Sequence, residues 1–168
     1  CQAAKRAGVT VSCDLNFRSK LWTPDQAIRV MTPLMEYVDV CIGNEEDAEK
    51  TLGVKNTADI GAGITDAECY EQTFRTLHGK FGFRLVASTL RESISASHNG
   101  WKAMLFDGTD FCLSKHYDIC PIVDRVGAGD SFSAGLIHGL ATGMSPAQAL
   151  EFAVAASALK HSVEGDFN

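Results

Sequence analysis

The most informative stretch of this chain is Val123-Asp124-Arg125-Val126-Gly127-Ala128-Gly129-Asp130-Ser131-Phe132. Two glycines around an alanine allow backbone amides to approach an anion closely. Small residues follow and predict a helix from Asp130 to about Ala141, whose start adds unpaired N–H groups and a positive dipole end. The run therefore predicts an anion cradle with a carboxylate at its edge, which suits phosphoryl transfer to a hydroxyl group.

Two other glycine-rich motifs are excluded by the same residues. A dinucleotide fingerprint needs a third glycine where this chain has Phe132. The Gly-x-x-x-x-Gly-Lys-Ser/Thr pattern of a P-loop does not occur in the sequence. On the residues alone, a plain strand-to-helix turn with Asp130 as an ordinary helix cap stays open as an alternative.

The run resembles the C-terminal signature of ribokinase-like sugar kinases of the phosphofructokinase-B type, Asp-Thr-x-Gly-Ala-Gly-Asp-x-Phe. The matching residues are Asp124, Gly127, Ala128, Gly129, Asp130 and Phe132. Arg125 stands where many members carry Thr. The resemblance implies ATP as phosphoryl donor, Mg²⁺ as cofactor, Asp130 as the base that accepts the hydroxyl proton, and the amides of Gly127, Ala128 and Gly129 as the anion hole.

A second segment narrows the class of substrate. Asp14-Leu15-Asn16-Phe17-Arg18, followed by Leu21-Trp22, is similar to the 2-keto-3-deoxygluconate kinase branch of that family. Strand alternation predicts that Asp14, Asn16 and Arg18 point to one side. The resemblance implies that Arg18 and Asn16 bind the carboxylate of a sugar acid. An Arg–Asp pair that ties the strand end to a neighbour stays open as the alternative.

Further site residues are implied by the same resemblance. Asn44 and Asp47 occupy the positions associated with magnesium, although Asn44 is also a good helix cap. Ser157 is similar to a residue on the nucleotide side of the family's site, and the alternative is a serine that only packs between helices. Asp166 is similar to a residue on the substrate side, where Asp130 is also implied, and the alternative for Asp166 is a solvated acid. The implied nucleotide segment consists of Thr89, Leu90, Arg91 and Ser93.

Arg91 departs from the family pattern, because the implied nucleotide segment normally carries a glycine-rich turn. An Arg–Glu pair on a solvated loop is the alternative for Arg91 and its neighbour Glu92.

The pattern along the chain predicts strands that alternate with helices, and therefore a parallel sheet covered on both sides. Predicted strands span 9–15, 38–42 and 85–89, with short antiparallel strands at 93–97, 101–106 and 111–114. Helices are expected after Thr23, with a kink at Pro33, from Asn44 to about Gly53, from Asp66, from 130 to 141 and from 146 to about 160, with a loop over 55–65.

The expected architecture is a three-layer αβα ribokinase-like fold with a mostly parallel sheet. We expect residues 1–168 to form the nucleotide-binding C-terminal part of one kinase domain, without a second domain. The fold is expected to be incomplete, because the family's N-terminal half and lid are not visible in the sequence. Ligands gather at carboxyl strand ends in such sheets, so Arg18, Asn44, Thr89 and Asp130 are expected along one edge.

Composition limits the classes of partner. The formal net charge of −6 argues against nucleic acid, and no apolar run reaches the roughly 18 residues that span a membrane. Six cysteines without Cys-x-x-Cys spacing favour a reduced, cytoplasmic protein. The expected partners are a small sugar acid and ATP, and a homo-oligomer of the full-length protein is left open.

These expectations combine into an ATP-dependent sugar-acid kinase that phosphorylates a hydroxyl of 2-keto-3-deoxygluconate. We expect the 168-residue chain to be a fragment that is inactive alone. A kinase for a neutral sugar or nucleoside and a non-catalytic fragment are the alternatives.

Overall fold

The computed structural model describes residues 1–55 and 66–166. Of the predicted loop over 55–65, all but residue 55 lies outside the described residues. Within the described residues no helix is long and apolar enough to cross a membrane. The elements in chain order are α1 Gln2–Arg6, β1 Ser12–Asp14, α2 Pro24–Leu34, a 3₁₀ turn Met35–Tyr37, β2 Val40–Ile42, α3 Glu45–Leu52, α4 Asp66–Phe81, β3 Leu85–Ser95, β4 His98–Phe106, β5 Phe111–Leu113, β6 Tyr117–Ile119, α5 Ala128–Ala141 and α6 Pro146–Lys160.

Local capping explains where the helices begin. Helix α2 starts with a capping box, in which Thr23 and Gln26 satisfy each other's backbone amides and Pro24 takes the first helical position. Helix α6 repeats this arrangement with Ser145 and Gln148. The predicted starts of both helices are confirmed.

The predicted end of helix α3 is also observed. The helix ends at Gly53, whose φ of 65° is the left-handed conformation that glycine adopts without a Cβ penalty. Helix α2 continues through Pro33 to Leu34, and the 3₁₀ turn Met35–Tyr37 follows directly. The kink expected at Pro33 stays a prediction.

Contacts between Cα atoms divide the chain into two compact units, of which the first comprises 1–87 and 106–110. Its strands β1, β2 and the start of β3 pair in parallel, with Cys13 opposite Cys41 and Cys41 opposite Val86. Phe74, Leu77 and Phe83 are almost completely buried. The parallel α/β arrangement predicted for this part is confirmed.

The second unit comprises 88–105 and 111–168 and contains the antiparallel strands. Strand β4 pairs with β6 so that Trp101 lies opposite Tyr117. The Ser114 amide donates to the Ala103 carbonyl oxygen beyond the end of β5. Parallel and antiparallel pairing together make a mixed α/β fold, and strand β6 was not predicted.

The structure corrects the prediction of separate strands over 85–89 and 93–97. Residues Leu85–Ser95 form one continuous strand. No glycine or proline interrupts residues 85–95, and Ser93-Ile94-Ser95 continues the polar–apolar alternation of a strand, so nothing in the sequence breaks the ladder.

The structure also corrects the predicted first strand, which covers Ser12–Asp14 instead of 9–15. Asn16 then adopts a φ of 37°, a left-handed conformation that Asn tolerates better than most residues. Strand alternation therefore stops before Asn16 and does not place Asp14, Asn16 and Arg18 on one side.

Helices α5 and α6 approach closely because small residues face each other. A Cβ at Gly135 would stand 2.9 Å from Ala153 Cα, and one at Gly139 would stand 2.9 Å from Ala149 Cα. Both alanines are fully buried. This contact needs glycine on α5, since backbone atoms cannot move aside as a flexible side chain can.

A pair of glycine substitutions tests this packing. We expect Gly139→Ala to lower the free energy of unfolding by about 1–3 kcal/mol, because the new methyl group overpacks the α5–α6 contact. Gly79 lies in α4 with no atom within 4 Å of its Cβ position, so Gly79→Ala should instead raise it by about 0.5–1 kcal/mol. Urea denaturation of both variants measures the difference, and equal effects would contradict the packing account.

Candidate functional site

The first turn of α5 forms the candidate anion site of the second unit. Gly127 is the N-cap with a φ of 77°, and it has no side chain to cap the helix. The first helical hydrogen bond runs from the Ser131 amide to the Gly127 carbonyl oxygen at 2.8 Å. The helix thus begins at Ala128, two residues before the predicted start, and places Gly129 and Asp130 in its first turn.

The amides of this turn differ in their availability. The Ala128 amide donates to the Arg125 carbonyl oxygen at 3.3 Å, a long bond that closes the turn before the helix. The Gly129 and Asp130 amides precede the first helical bond, and in a helix such amides have no backbone acceptor four residues earlier. The donors best placed for an anion are therefore those of Gly129 and Asp130.

The surface at this turn is open. Gly129 and Asp130 are both exposed. A Cβ at Gly129 would meet no heavy atom within 4 Å. An anion therefore has space beside the Gly129 backbone, and the Asp130 carboxylate stands in solvent at the edge of that space.

A buried hydrogen-bond chain supports the same turn from the protein interior. The Trp101 Nε1–H donates to Ser157 Oγ at 3.1 Å, and the Ser157 hydroxyl donates to the Ala128 carbonyl oxygen at 2.7 Å. Ser157 is 0% exposed. Its hydroxyl is used twice within the protein, so Ser157 supports the turn from the interior, and the nucleotide contact implied by the resemblance stays a prediction.

His161 completes this buried cluster. Its Nδ1–H donates to the Ser157 carbonyl oxygen at 2.8 Å, and its ring lies edge-on to Trp101 with 4.8 Å between centroids. Burial lowers the pKa of His161 below its usual 6.5, an effect that its hydrogen bond to Ser157 only partly offsets. The imidazole is therefore held neutral in the folded protein at neutral pH.

Asp124 connects the glycine turn to the segment after α6. Its Oδ1 accepts the Val126 amide at 3.0 Å, and its Oδ2 accepts the Gly165 amide at 2.9 Å. These backbone N–H groups, that of Val126 first, lower the pKa of the Asp124 carboxyl. The carboxylate thus acts as an ionised tie between two segments, a role that the sequence did not reveal.

Asp166 lies beside the glycine turn, and its substrate-side role stays a prediction. Its Oδ1 is 2.7 Å from the position that a Cβ on Gly127 would occupy, and Lys160 Cε is 3.2 Å from that position. Lys160 Nζ donates to the Val163 and Gly165 carbonyl oxygens. The structure thereby brings together Gly127 and Asp166, which are 39 positions apart in the sequence (166 − 127).

The implied nucleotide segment lies within strand β3 and not in a turn after a strand. Leu90 is buried, Thr89 is half-buried, and Arg91 and Ser93 are exposed. Strand geometry alternates these side chains between the two faces. A direct contact of all four with one ligand stays a prediction.

In the first unit, the pair implied for magnesium forms a helix cap. Asn44 and Asp47 make a capping box at the start of α3, with the Asp47 amide 2.8 Å from Asn44 Oδ1. Asp47 Oδ1 also accepts the Phe17 amide at 2.9 Å. The cap therefore holds the segment that carries Asn16 and Arg18.

Arg18 is exposed, and its Nη1 donates to the Phe17 carbonyl oxygen at 3.0 Å. This bond to its own neighbour leaves most of the guanidinium donors directed elsewhere. Arg18 and Asn16 are thus available at the surface beside Asp47. Their meeting with Thr89 and Asp130 along one sheet edge stays a prediction.

The oxygen atoms of this helix cap are of the chemical type that a hard cation binds. Glu45 Oε2 is buried without a hydrogen-bond partner, one residue from Asn44. Carboxylate and amide oxygens are ligands that Mg²⁺ accepts. Among the described residues, however, no group of three or more His, Cys, Asp or Glu could hold a metal ion by protein ligands alone. No sequence signal distinguishes Glu45 from an ordinary acid in a first helical turn.

Comparison with known proteins shows the family to which this mixed α/β fold belongs. The sequence pattern of the pfkB family of carbohydrate kinases matches residues 1–168, and the chain belongs to this family. The 2-dehydro-3-deoxygalactonokinase of Haloferax volcanii is 31% identical over 168 residues, which cover 98% of this chain and 45% of that protein.

Two further relatives support the same placement. The 2-dehydro-3-deoxygluconokinase of Bacillus subtilis is 30% identical over 166 residues, covering 98% of this chain and 44% of that protein. The crystal structure of 2-dehydro-3-deoxygluconokinase from Thermotoga maritima is 48% identical with a TM-score of 0.91, and the match covers 99% of this chain and 49% of that one. The chain spans about half the length of these relatives.

Removing the buried hydroxyl tests the support of the glycine turn. We expect Ser157→Ala to lower the free energy of unfolding by about 1–3 kcal/mol, because Trp101 Nε1–H and the Ala128 carbonyl oxygen lose their partner. Trp101→Phe breaks the same hydrogen-bond chain, so the double variant should lose clearly less free energy of unfolding than the sum of the two single losses. Urea denaturation of the wild type, the two single variants and the double variant measures this coupling, and strict additivity would contradict it.

Proposed function

We propose that the complete protein carrying this chain is an ATP-dependent sugar-acid kinase that phosphorylates a hydroxyl of 2-keto-3-deoxygluconate. The observation that carries the proposal is the open first turn of α5, in which the exposed Asp130 stands beside the Gly129 backbone. A phosphoryl group at this position would meet amide hydrogens and the positive end of the helix dipole.

Asp130 is the proposed base. In phosphoryl transfer the enzyme contributes mainly through positioning and charge stabilisation, so a weak base suffices to accept the hydroxyl proton. The amides at Gly127, Ala128 and Gly129 are the proposed anion hole. Because the Ala128 amide already donates to the Arg125 carbonyl oxygen, we expect the Gly129 and Asp130 amides to contribute the larger share.

Arg18 and Asn16 are the proposed ligands of the substrate carboxylate. A guanidinium binds a carboxylate through two parallel hydrogen bonds, and the exposed Arg18 donates through Nη1 to the neighbouring Phe17 carbonyl oxygen, which leaves Nη2 and Nε for such a pair. The relatives are named 2-dehydro-3-deoxygalactonokinase and 2-dehydro-3-deoxygluconokinase. Galactonate and gluconate are sugar acids, and a 2-dehydro group is the same as a 2-keto group. These names therefore support an acidic 2-keto-3-deoxy substrate.

Magnesium is the proposed cofactor, with Asn44 and Asp47 as the residues that would hold it. Bound there, the ion would supply positive charge to phosphate oxygens. Asn44 and Asp47 would act mainly through water, because their side chains also cap α3.

Asp130→Asn tests the proposed base. We expect turnover in the complete protein to fall at least about a hundredfold, because a general base contributes on that scale. ATP affinity should stay within about twofold, since the amide has the same shape and the donors are backbone groups. A coupled assay measures turnover and calorimetry measures ATP binding. Asp110→Asn, at an exposed turn, is the matched control, and full activity of Asp130→Asn would refute the assignment.

Arg18→Ala separates an acidic substrate from a neutral one. We expect KM for 2-keto-3-deoxygluconate to rise at least about tenfold, because the carboxylate loses a charge-assisted partner. KM for ATP should not change. Arg29→Ala on the exposed side of α2 serves as the control for loss of one positive charge. An unchanged KM for the sugar acid would favour the alternative, a kinase for a neutral sugar or nucleoside.

A further inference from the structure

Arg125 makes a contact that its position in the signature does not explain. Its Nη2 donates to the Ser95 carbonyl oxygen at 3.1 Å and to the Ala96 carbonyl oxygen at 2.5 Å. Ser95 is the last residue of β3, and Ala96 lies in the turn that leads to β4. The arginine just before the glycine turn therefore holds the β3–β4 hairpin by its backbone.

The backbone of the same residue belongs to the glycine turn. The Arg125 carbonyl oxygen accepts the Ala128 amide, which closes the turn before α5. A single residue thus contacts the hairpin with its side chain and the candidate phosphate site with its main chain. Nearby, the Ile122 amide donates to the Ser97 carbonyl oxygen at 2.8 Å and provides a second link to the same hairpin.

The contact depends on an arginine. Two carbonyl oxygens on consecutive residues are acceptors, and a planar guanidinium presents several donors in a fixed arrangement with a full positive charge. Threonine, which many related signatures carry here, has one short hydroxyl group and cannot extend to the hairpin as an arginine does. The half-buried position of Arg125 strengthens such charge-assisted bonds relative to fully solvated ones.

We propose that Arg125 is a positioning residue that couples the nucleotide-side strand β3 to the phosphate-side turn at Gly127–Asp130. This proposal rests on the proposed function. Strand β3 carries the implied nucleotide residues Thr89 and Ser93, so the hairpin contact sets where they stand relative to the glycine turn. Loss of the guanidinium loosens the hairpin and weakens the use of ATP, while the binding of the sugar acid is unaffected.

The experiment compares Arg125→Thr, Arg125→Lys and the control Arg29→Thr in the complete protein. We expect Arg125→Thr to raise KM for ATP about tenfold, the scale of one lost charge-assisted hydrogen bond, with KM for the sugar acid within about twofold. Arg125→Lys should recover part of the loss, because an ammonium keeps the positive charge and N–H donors but lacks the planar arrangement of the guanidinium. Arg29→Thr should match the wild type.

Hydrogen exchange gives a readout that is independent of activity. The Ile122 amide should exchange faster in Arg125→Thr than in the wild type, because its acceptor Ser97 lies in the loosened hairpin. Unchanged KM for ATP with unchanged Ile122 exchange would overturn the proposal. An equal rise of both KM values would also overturn it, as a general structural effect. A wild-type protein without ATP turnover would instead refute the proposed function.

Discussion

The Ala128 carbonyl oxygen accepts the Ser157 hydroxyl inside the second unit, and the geometry of the candidate site depends on this contact. Ser157 is itself held by the Trp101 indole N–H. Because Ala128 is the first residue of α5, the bond fixes the helix at its first turn from the buried side. Gly129 and Asp130, which follow Ala128 in the same turn, are exposed. A preorganised set of donors is what charge stabilisation in phosphoryl transfer requires.

Three other contacts hold the same turn from different directions. Asp124 ties it to Gly165, Arg125 ties it to the β3–β4 hairpin, and Asp166 lies against Gly127. Glycine is required at Gly127 for two reasons, a left-handed φ and the lack of room for a Cβ beside the Asp166 carboxylate. A turn constrained in this way loses little conformational freedom when it binds a ligand, which favours affinity.

Local features of the fold were predictable from the sequence, and distant contacts were not. The capping boxes at Thr23 and Ser145 and the end of α3 at Gly53 involve residues within a few positions, so their patterns are visible in the sequence. The continuation of β3 through Ser95 was missed because Arg91 and Glu92 look like a solvated loop, although no glycine or proline interrupts the strand. In the site, the exposed Asp130 was expected, whereas the bonds of Trp101 to Ser157 and Arg125 to Ala96 join residues 56 and 29 positions apart.

In the proposed function, the first turn of α5 binds the phosphate chain of a nucleotide. Amide NMR of the complete protein, titrated with ATP and with adenosine, tests this binding. We expect the Gly129 and Asp130 amide resonances to shift strongly with ATP and hardly at all with adenosine, since only ATP brings phosphate oxygens to these donors. Equal shifts with both ligands, or no shift with saturating ATP, would contradict it.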